Sequence, residues 1–339
     1  MPEKFLASRS ARKTLRHVSR LLGDQVLTLV DASANATSVR FAIGGQTLAY
    51  VASDAGTRTL ALADRQGNRR PLANLPNGNY ESPRVSPKGD RVAVLRNDLN
   101  DEQRDLWIYD LSASRLAPLT RSGGISGPAW SADGLRVAYL RGQEALWRNL
   151  DASSDEELLI RRPRRFGALS LTPDILVFQE GTGAWDIGIA AIGKPGSDSL
   201  ILRGDYWEGH PEVSPDGRWL AYYSGESGRA QIFVQPFLRP GRKVLISPEG
   251  GLNPRWAGDG QRLFYIQGGA VNEASLTIGT DVAVKSVRRL FEVAGVSTGT
   301  PQYDVFPDGN RFAITELQST NAPREVTIVH NFWQLLRRK

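Results

Sequence analysis

The most regular pattern of apolar and polar positions in the chain lies within the range Gly209–Phe237. Two short apolar segments, Trp219–Tyr223 and Gln231–Phe237, are separated by a polar loop, and each predicts a buried β-strand. The extended segment Pro211–Val213 and then the tetrapeptide Ser214–Gly217 precede them. In that tetrapeptide proline presets φ, aspartate bonds its own backbone and glycine accepts a left-handed conformation, which together predict a tight turn.

This turn and its flanking strands recur along the chain. Six copies keep the turn glycine, namely Gly45, Gly89, Gly134, Gly217, Gly260 and Gly309. The fourth of the seven copies along the chain is worn, because it keeps Thr172–Asp174 but lacks the turn glycine. Successive glycines are 44, 45, 83, 43 and 49 residues apart, and the longest interval contains the worn copy. A period of about 40–45 residues with four short strands is typical of propeller blades. We therefore predict an all-β protein, a β-propeller of seven four-stranded blades.

The two ends of the repeat array predict how the ring closes. The last copy supplies three strands, Gln302–Val305, Arg311–Thr315 and Glu325–Val329, but no clear fourth strand. The segment Gln25–Val30 is predicted to be a strand without a hairpin partner nearby. Because unpaired sheet edges invite aggregation, we expect this N-terminal strand to join the last blade and close the ring. The alternative is six blades, with the seventh or the worn copy in another role.

The positive charge of the chain is concentrated at its ends. Residues 1–22 carry a net charge of +5 and residues 337–339 carry +3, so the remainder is −2 although the whole chain is +6. The body therefore has no excess of charge that would indicate nucleic-acid binding. Residues 1–22 predict either a solvated helix or a basic amphipathic helix with weak contact to an anionic membrane surface.

These features divide the chain into three parts. We predict a basic, helical or disordered segment at 1–24, the propeller at 25–331 and a basic tail at 332–339. No stretch has 18 consecutive apolar residues, so no transmembrane segment is predicted. No signal peptide is predicted either, which indicates a cytoplasmic protein as written, or a periplasmic or extracellular one if the chain belongs to a longer protein. We expect a monomer.

Candidate chemistry is sparse. The chain has no cysteine, and its three histidines are far apart, so we predict no metal site, no cofactor and no catalytic residue. Four aspartates occupy the same position of the repeated turn and are expected to serve that turn. These are Asp133, Asp216, Asp259 and Asp308. The basic cluster Arg161–Arg165 favours an exposed linker, and the alternative is a docking point for an acidic partner or phosphate.

One repeated position is the candidate for a binding face. It lies just before the first strand of each copy and holds small or polar residues, as the mouth of a wet channel requires. Its members are Ser38, Ser82, Gly127, Gly167, His210, Asn253 and Gln302. Because Trp207 stands beside His210, we predict that a ligand or peptide contacts the face near Trp207, His210 and Asn253. The alternative is that these residues only start strands and bond the backbone.

The repeated motif also resembles a known family. The sequence SPDGRWLAY at Ser214–Tyr222, with its copies at Ser86–Val94, Ser131–Tyr139 and Phe306–Ile314, is similar to the TolB-like, WD-repeat-like propellers of bacteria. The resemblance covers about residues 36–331. It implies a propeller fold and no catalytic residue.

A closer likeness concerns the second half of the chain. The segments Gln231–Ile266 and Glu325–Phe332 resemble the propeller at the C-terminus of some bacterial serine/threonine protein kinases and winged-helix regulators. The kinase motifs themselves are missing from this sequence. The resemblance therefore implies a free-standing propeller or a piece of a longer protein.

The expected function is binding. We expect a non-catalytic scaffold that holds a protein or peptide partner on one propeller face, since propeller loops vary while the blades stay rigid. The alternative is a ligand-sensing regulatory module separated from a bacterial kinase or winged-helix regulator. An enzyme is disfavoured because no acid–base pair converges along the sequence.

Overall fold

The computed structural model of the chain describes residues 40–44, 47–51, 57–97, 103–151, 155–294, 300–317 and 326–330. This part of the chain is built from β-strands and loops, and it contains no helix that could cross a membrane. Its strands, in order, are β1 (Arg40–Gly44), β2 (Thr47–Val51), β3 (Arg58–Asp64), β4 (Arg69–Pro71), β5 (Asn79–Val85), β6 (Arg91–Asn97), β7 (Asp105–Asp110), β8 (Arg115–Pro118), β9 (Ile125–Trp130), β10 (Arg136–Arg141), β11 (Glu144–Asn149), β12 (Glu157–Arg161), β13 (Arg165–Leu171), β14 (Ile175–Gly181), β15 (Trp185–Ala191), β16 (Ser199–Leu202), β17 (Glu208–Val213), β18 (Trp219–Ser224), β19 (Gln231–Pro236), β20 (Val244–Leu245), β21 (Leu252–Trp256), β22 (Arg262–Gln267), β23 (Ala270–Ile278), β24 (Val282–Glu292), β25 (Tyr303–Val305), β26 (Arg311–Leu317) and β27 (Val326–His330).

Six four-stranded antiparallel sheets form the blades of a propeller. Blade 1 has the order β25-β26-β3-β4, and blades 2 to 6 follow the chain as β5-β6-β7-β8, β9-β10-β11-β12, β13-β14-β15-β16, β17-β18-β19-β20 and β21-β22-β23-β24. The first strand of each blade contacts the first strand of the next, and β25 contacts β5, so the six first strands form a closed ring. The predicted all-β propeller is thereby confirmed, and all six blades belong to one compact unit of residues 58–317.

The repeated turn has the predicted chemistry. Gly217 has φ of +71°, and its amide donates to the carbonyl of Ser214 over 2.8 Å. The Asp216 carboxylate accepts the backbone N–H two residues further on over 3.0 Å, and the other three turn aspartates do the same over 2.8–2.9 Å. A hydrogen bond from the Ser131 hydroxyl and one from the backbone lower the pKa of Asp133. The expectation that these aspartates serve the turn is confirmed.

The second strand of each blade provides the core between blades. All six residues of β18 are buried. Trp219 and Ala221 pack with Leu263 of blade 6, while Leu220 and Tyr222 pack with residues of blade 4. A strand of this kind buries both of its faces because a neighbouring blade lies on each side. This explains why the second strands are nearly continuous apolar runs instead of alternating ones.

The ring has six blades, so the prediction of seven blades is wrong and the stated alternative is right. The hairpin of the last copy, β25-β26, is completed by β3 and β4 from near the start of the described chain, with Phe312 opposite Ala63 and Ile314 opposite Ala61. The repeat predicts Thr59–Ala63, within β3, as the third strand of the first copy. This assignment is wrong because any hairpin of the repeat presents the same apolar edge to a third strand. The segment Gln25–Val30, predicted to close the ring, lies outside the described residues.

A three-stranded sheet forms a separate compact unit. The hairpin of the first copy, β1-β2, is present as predicted, and β27 pairs with β2 in antiparallel register, with Ile328 opposite Ala49. The third strands predicted for the first and last copies are thus exchanged: the former completes blade 1, and the latter joins the hairpin of the first copy. The predicted domain boundaries after residues 24 and 331 lie outside the described residues.

A disulfide can test the closure of blade 1. Thr59 lies directly opposite Glu316, and directly opposed residues of an antiparallel pair have Cα atoms about 4.5–5.5 Å apart, within disulfide reach. Since the chain has no cysteine, Thr59→Cys with Glu316→Cys should form one intramolecular disulfide on mild oxidation, measured by thiol titration and non-reducing electrophoresis.

The matched control combines Thr59→Cys with Arg311→Cys. Arg311 lies opposite Asp64, at the far end of the same pair of strands, so this double variant should keep two free thiols. Two free thiols in the Thr59/Glu316 variant would contradict the six-blade closure.

Candidate functional site

The first strands of blades 2 to 6, together with Thr300 and Pro301 ahead of β25, line a cavity of about 790 Å³ near the end where these strands begin. Four members of the predicted repeated position line it: Ser82, Gly127, Gly167 and His210. Trp207 lines the cavity as well. The equivalent Asn253 and Gln302 are buried and lie outside the cavity wall, with 0% and 2% exposure. Ser38 lies outside the described residues. The structure thus brings most of the predicted residues to one face, and binding there stays a prediction.

A shared β-bulge places these residues around the cavity. Ser82, Gly127, His210 and Asn253 all have φ between +48° and +55°, and each precedes a proline. The register between the first and second strands shifts at the same point in each of these blades. A bulge adds one unpaired residue and turns the strand locally. The non-glycine residues accept an uncommon conformation there, which the surrounding sheet must hold in place.

Aromatic side chains form one side of the mouth of the cavity. Trp207 and Tyr206, immediately before β17, are 61% and 51% exposed although both are large and amphipathic. The half-buried Trp185 lines the cavity nearby. Deeper in the wall, the rings of His210 and Tyr223 lie 5.7 Å apart, and the His210 amide donates to the Gln179 side chain over 3.2 Å. Exposed aromatic residues next to a concave surface are typical of binding sites.

Four charged side chains, here called the channel ion network, cross the middle of the ring. Arg84 on β5 binds both carboxylate oxygens of Glu212 on β17 at 3.0–3.2 Å. Arg255 on β21 donates to Glu212 over 3.1 Å and lies 3.1 Å from Asp304 on β25. Because β5 and β17 are three steps apart in the ring of six, the pair Arg84–Glu212 joins opposite blades across the channel.

The side chains of the channel ion network are largely buried from solvent. Its side chains are only 6–14% exposed. Burial raises the pKa of Asp304 against the opposing effect of the two arginines. Burial alone would lower the pKa of Arg84, but Glu212 and Asp304 together raise it above its ordinary value. Two cations and two anions therefore offset one another in a region of low dielectric constant, where an unpaired charge is costly.

Backbone contacts fix the network in place. The amide of Val85 donates to Asp304 over 2.7 Å, so the carboxylate joins blade 1 to blade 2. The indole of Trp130 donates to the carbonyl of Arg84 over 2.8 Å, and that of Trp256 donates to the carbonyl of Glu212 over 3.1 Å. Each of these hydrogen bonds links neighbouring blades. Each also positions the backbone next to a charged residue of the channel ion network.

The sequence interpretation missed the channel ion network. Its members share one position, two residues before the turn, which the six blades fill with Asp304, Arg84, Ala129, Ser170, Glu212 and Arg255 in order from blade 1 to blade 6. The available signal was four charges inside otherwise apolar strands at an aligned position. Such residues are seldom buried unless they are paired, so charges of opposite sign there indicate a network across the ring.

Most of the basic cluster at 161–165 is neutralised by the chain itself. Arg161 pairs with Glu144, Arg162 pairs with Glu180 at 2.7 Å and with Asp198, and Arg164 pairs with Asp186 at 2.7 Å. These pairs favour the linker interpretation over a docking point formed by the whole cluster. Arg165 differs from its neighbours, because it is exposed and lines the cavity.

No protein-family model and no curated protein sequence matches this chain. Solved structures do resemble it. A protein assigned as TolB from Agrobacterium tumefaciens has a TM-score of 0.60 and 17% identity, over 78% of this chain and 99% of that one. TolB from Acinetobacter baumannii has a TM-score of 0.53 and 15% identity, over 80% of this chain and 65% of that one. The resemblance to TolB-like propellers is confirmed at the level of fold.

An enzyme also has this fold. An oligogalacturonate lyase in complex with manganese matches with a TM-score of 0.51 and 15% identity, over 81% of this chain and 82% of the lyase. In the part of this chain that the structure describes, no group of three histidine, cysteine or acidic side chains is arranged to hold a metal ion. At these identities the comparisons show the fold alone, since one fold carries many functions.

The channel ion network gives a stability prediction. Glu212→Ala leaves the Arg84 and Arg255 guanidinium groups without their shared carboxylate, and removing one partner of a buried ion pair costs about 3–5 kcal/mol. Glu226→Ala is the matched control, because Glu226 pairs with Lys243 near the surface and should cost less than about 1 kcal/mol. Urea denaturation measures both losses. Equal losses would contradict the structural role of the network.

Proposed function

We propose that the chain is a non-catalytic propeller that binds a segment of a partner protein, or a peptide, at the mouth of the cavity. The observation that carries this proposal is the exposed pair Tyr206 and Trp207 at the edge of a cavity built from bulged strands. Tyrosine and tryptophan supply large contact areas at low entropic cost and dominate many protein interfaces. The rigid blades would hold these side chains in place while a partner docks.

A second candidate function is the sensing of a small molecule. The cavity of about 790 Å³ is within the range of about 300–1,000 Å³ that is usual for small-ligand sites, and this favours a ligand-sensing module of the kind found beside bacterial kinases and winged-helix regulators. For either candidate we propose a binding role without catalysis. The carboxylates of the channel ion network already pair with its arginines, so they are not free to act as an acid and a base.

We also propose that the propeller acts as a monomer and that residues 1–22 contact an anionic membrane surface weakly. The six sheets are closed into a ring, which leaves only short outer strands on most blades and so limits pairing between copies. The membrane contact is supported by the net charge of +5 in those residues, since basic side chains are attracted to anionic lipids.

Peptide display on the full chain tests the proposed site. Peptides selected from a random library should bind the wild-type chain and lose about tenfold or more of their affinity in Trp207→Ala, because a buried tryptophan anchor often contributes that much. Fluorescence anisotropy of the labelled peptides measures the change.

Leu135→Ala is the matched control. Leu135 is 58% exposed and follows the turn at the other end of the first strand of blade 3, away from the cavity. This control should bind the selected peptides like the wild type. Peptides that bind both variants equally well would refute the proposed face.

A further inference from the structure

The arginines of the channel ion network form one side of the cavity, here called its floor. Arg84 and Arg255 line the cavity, whereas their partners Glu212 and Asp304 do not. The cavity wall therefore includes the two arginines and not the carboxylates with which they pair. The network is neutral as a whole, but its positive members are the ones that a bound molecule would meet.

Both guanidinium groups keep unused hydrogen-bond donors. The side-chain bonds of Arg84 use its two terminal nitrogens, and its buried Nε has no acceptor among the described residues. The hydrogen bonds of Arg255 use Nη1, with one of them to the carbonyl of Pro254, and its Nε lies 3.1 Å from Asp304 without hydrogen-bond geometry. A buried donor without an acceptor is costly, so an acceptor that reached the Nε of Arg84 would be bound favourably.

The other residues that line the cavity also carry more positive than negative charge. The described residues that line the cavity include five arginines and a single acidic residue, Asp205. Two of these arginines, Arg104 and Arg229, pair with glutamates outside the wall. Arg165 has no ion-pair partner among the described residues, although the three other arginines of its cluster are paired. The wall therefore carries more positive than negative charge, and Arg165 is its one arginine outside an ion pair among the described residues.

We propose that the cavity recognises a carboxylate side chain of the bound segment, which reaches the floor and accepts hydrogen bonds from Arg84 and Arg255. This inference rests on the proposed function. The planar guanidinium fork matches a carboxylate and makes charge-assisted hydrogen bonds that an amide cannot equal. Glu212 shares the same two arginines, so it competes with the incoming carboxylate.

Acetate is a direct probe of this subsite. In the full wild-type chain with ¹⁵N-labelled arginine, acetate should shift the Nε–H resonances of Arg84 and Arg255 in a saturable way, and chloride at equal ionic strength should not. Arg84→Lys and Arg255→Lys assign the two signals, because lysine lacks the Nε–H group. If acetate changes the chemical shift of neither Nε–H group, the carboxylate subsite is wrong, regardless of the result of the peptide experiments.

Two variants should change acetate affinity in opposite directions. Glu212→Gln removes the internal competitor and should tighten acetate binding about tenfold, while Arg255→Gln removes a donor and should weaken it about tenfold. A merely structural role would lower stability in both variants without this opposition. If a variant fails to fold, the wild-type titration still decides the question.

Selected peptides separate this inference from the proposed function. Replacing each acidic residue of a bound peptide by its amide should lower the affinity for the wild-type chain about tenfold at one position. Equal affinity of the acidic and amide peptides would overturn the carboxylate subsite and leave peptide binding intact. A saturable acetate effect without binding of any peptide would support the anion subsite and overturn the proposed function.

Discussion

The pairing of β26 with β3 is the constraint on which the rest of the structure depends. Seven residue pairs join these strands, from Arg311 opposite Asp64 to Leu317 opposite Arg58, and they bring together segments about 250 residues apart in sequence. Without this pairing blade 1 would be a two-stranded hairpin, and the first strands β25 and β5 would not be held side by side. Closure is entropically costly because it orders the whole intervening chain, so many buried contacts must offset it. The nearly continuous burial of the second strands supplies them.

Closure also creates the conditions for the channel ion network. Arg84 and Glu212 come from opposite blades, and they can meet only if six first strands of similar geometry surround a narrow axis. A buried ionic network adds little stability over a well-packed apolar core, but it penalises arrangements in which a charge loses its partner. In this ring it would disfavour an altered number of blades, because one more blade would move Arg84 and Glu212 out of opposition. Two of its residues, Arg84 and Arg255, also line the cavity, so under the proposed function the network would serve both architecture and recognition.

Sequence reasoning recovers the local structure well and the closure poorly. The turn at Ser214–Gly217 and its copies follow from residue chemistry within four positions, and this is why the strands and turn aspartates can be predicted. The partner of β3 cannot be predicted in this way. Its sequence fits the edge of either the first or the last hairpin, and the choice depends on ring geometry that no local pattern contains.

The candidate site shows the same division. His210 and Ser82 are found from their aligned position, because a repeat places equivalent residues around one axis. Asn253 has the same bulge but is buried and does not line the cavity. Whether a residue at this repeated position faces the cavity depends on side-chain packing and not on position alone. The channel ion network was accessible in principle from four aligned charges, yet which of them touch depends on which blades face each other. The number of blades had to be known first.

Amide hydrogen exchange along β3 tests the central claim most directly. The amide of Asp64 donates to Asn68 on the β4 side, so the alternate amides of β3, those of Thr59, Ala61 and Ala63, face β26. In native conditions these three amides are expected to be protected as strongly as those of β19, which is the third strand of blade 5, because both strands occupy the interior of a four-stranded blade. Exchange of the β3 amides at the rate of an exposed loop, with β19 protected, would contradict the closed six-bladed ring.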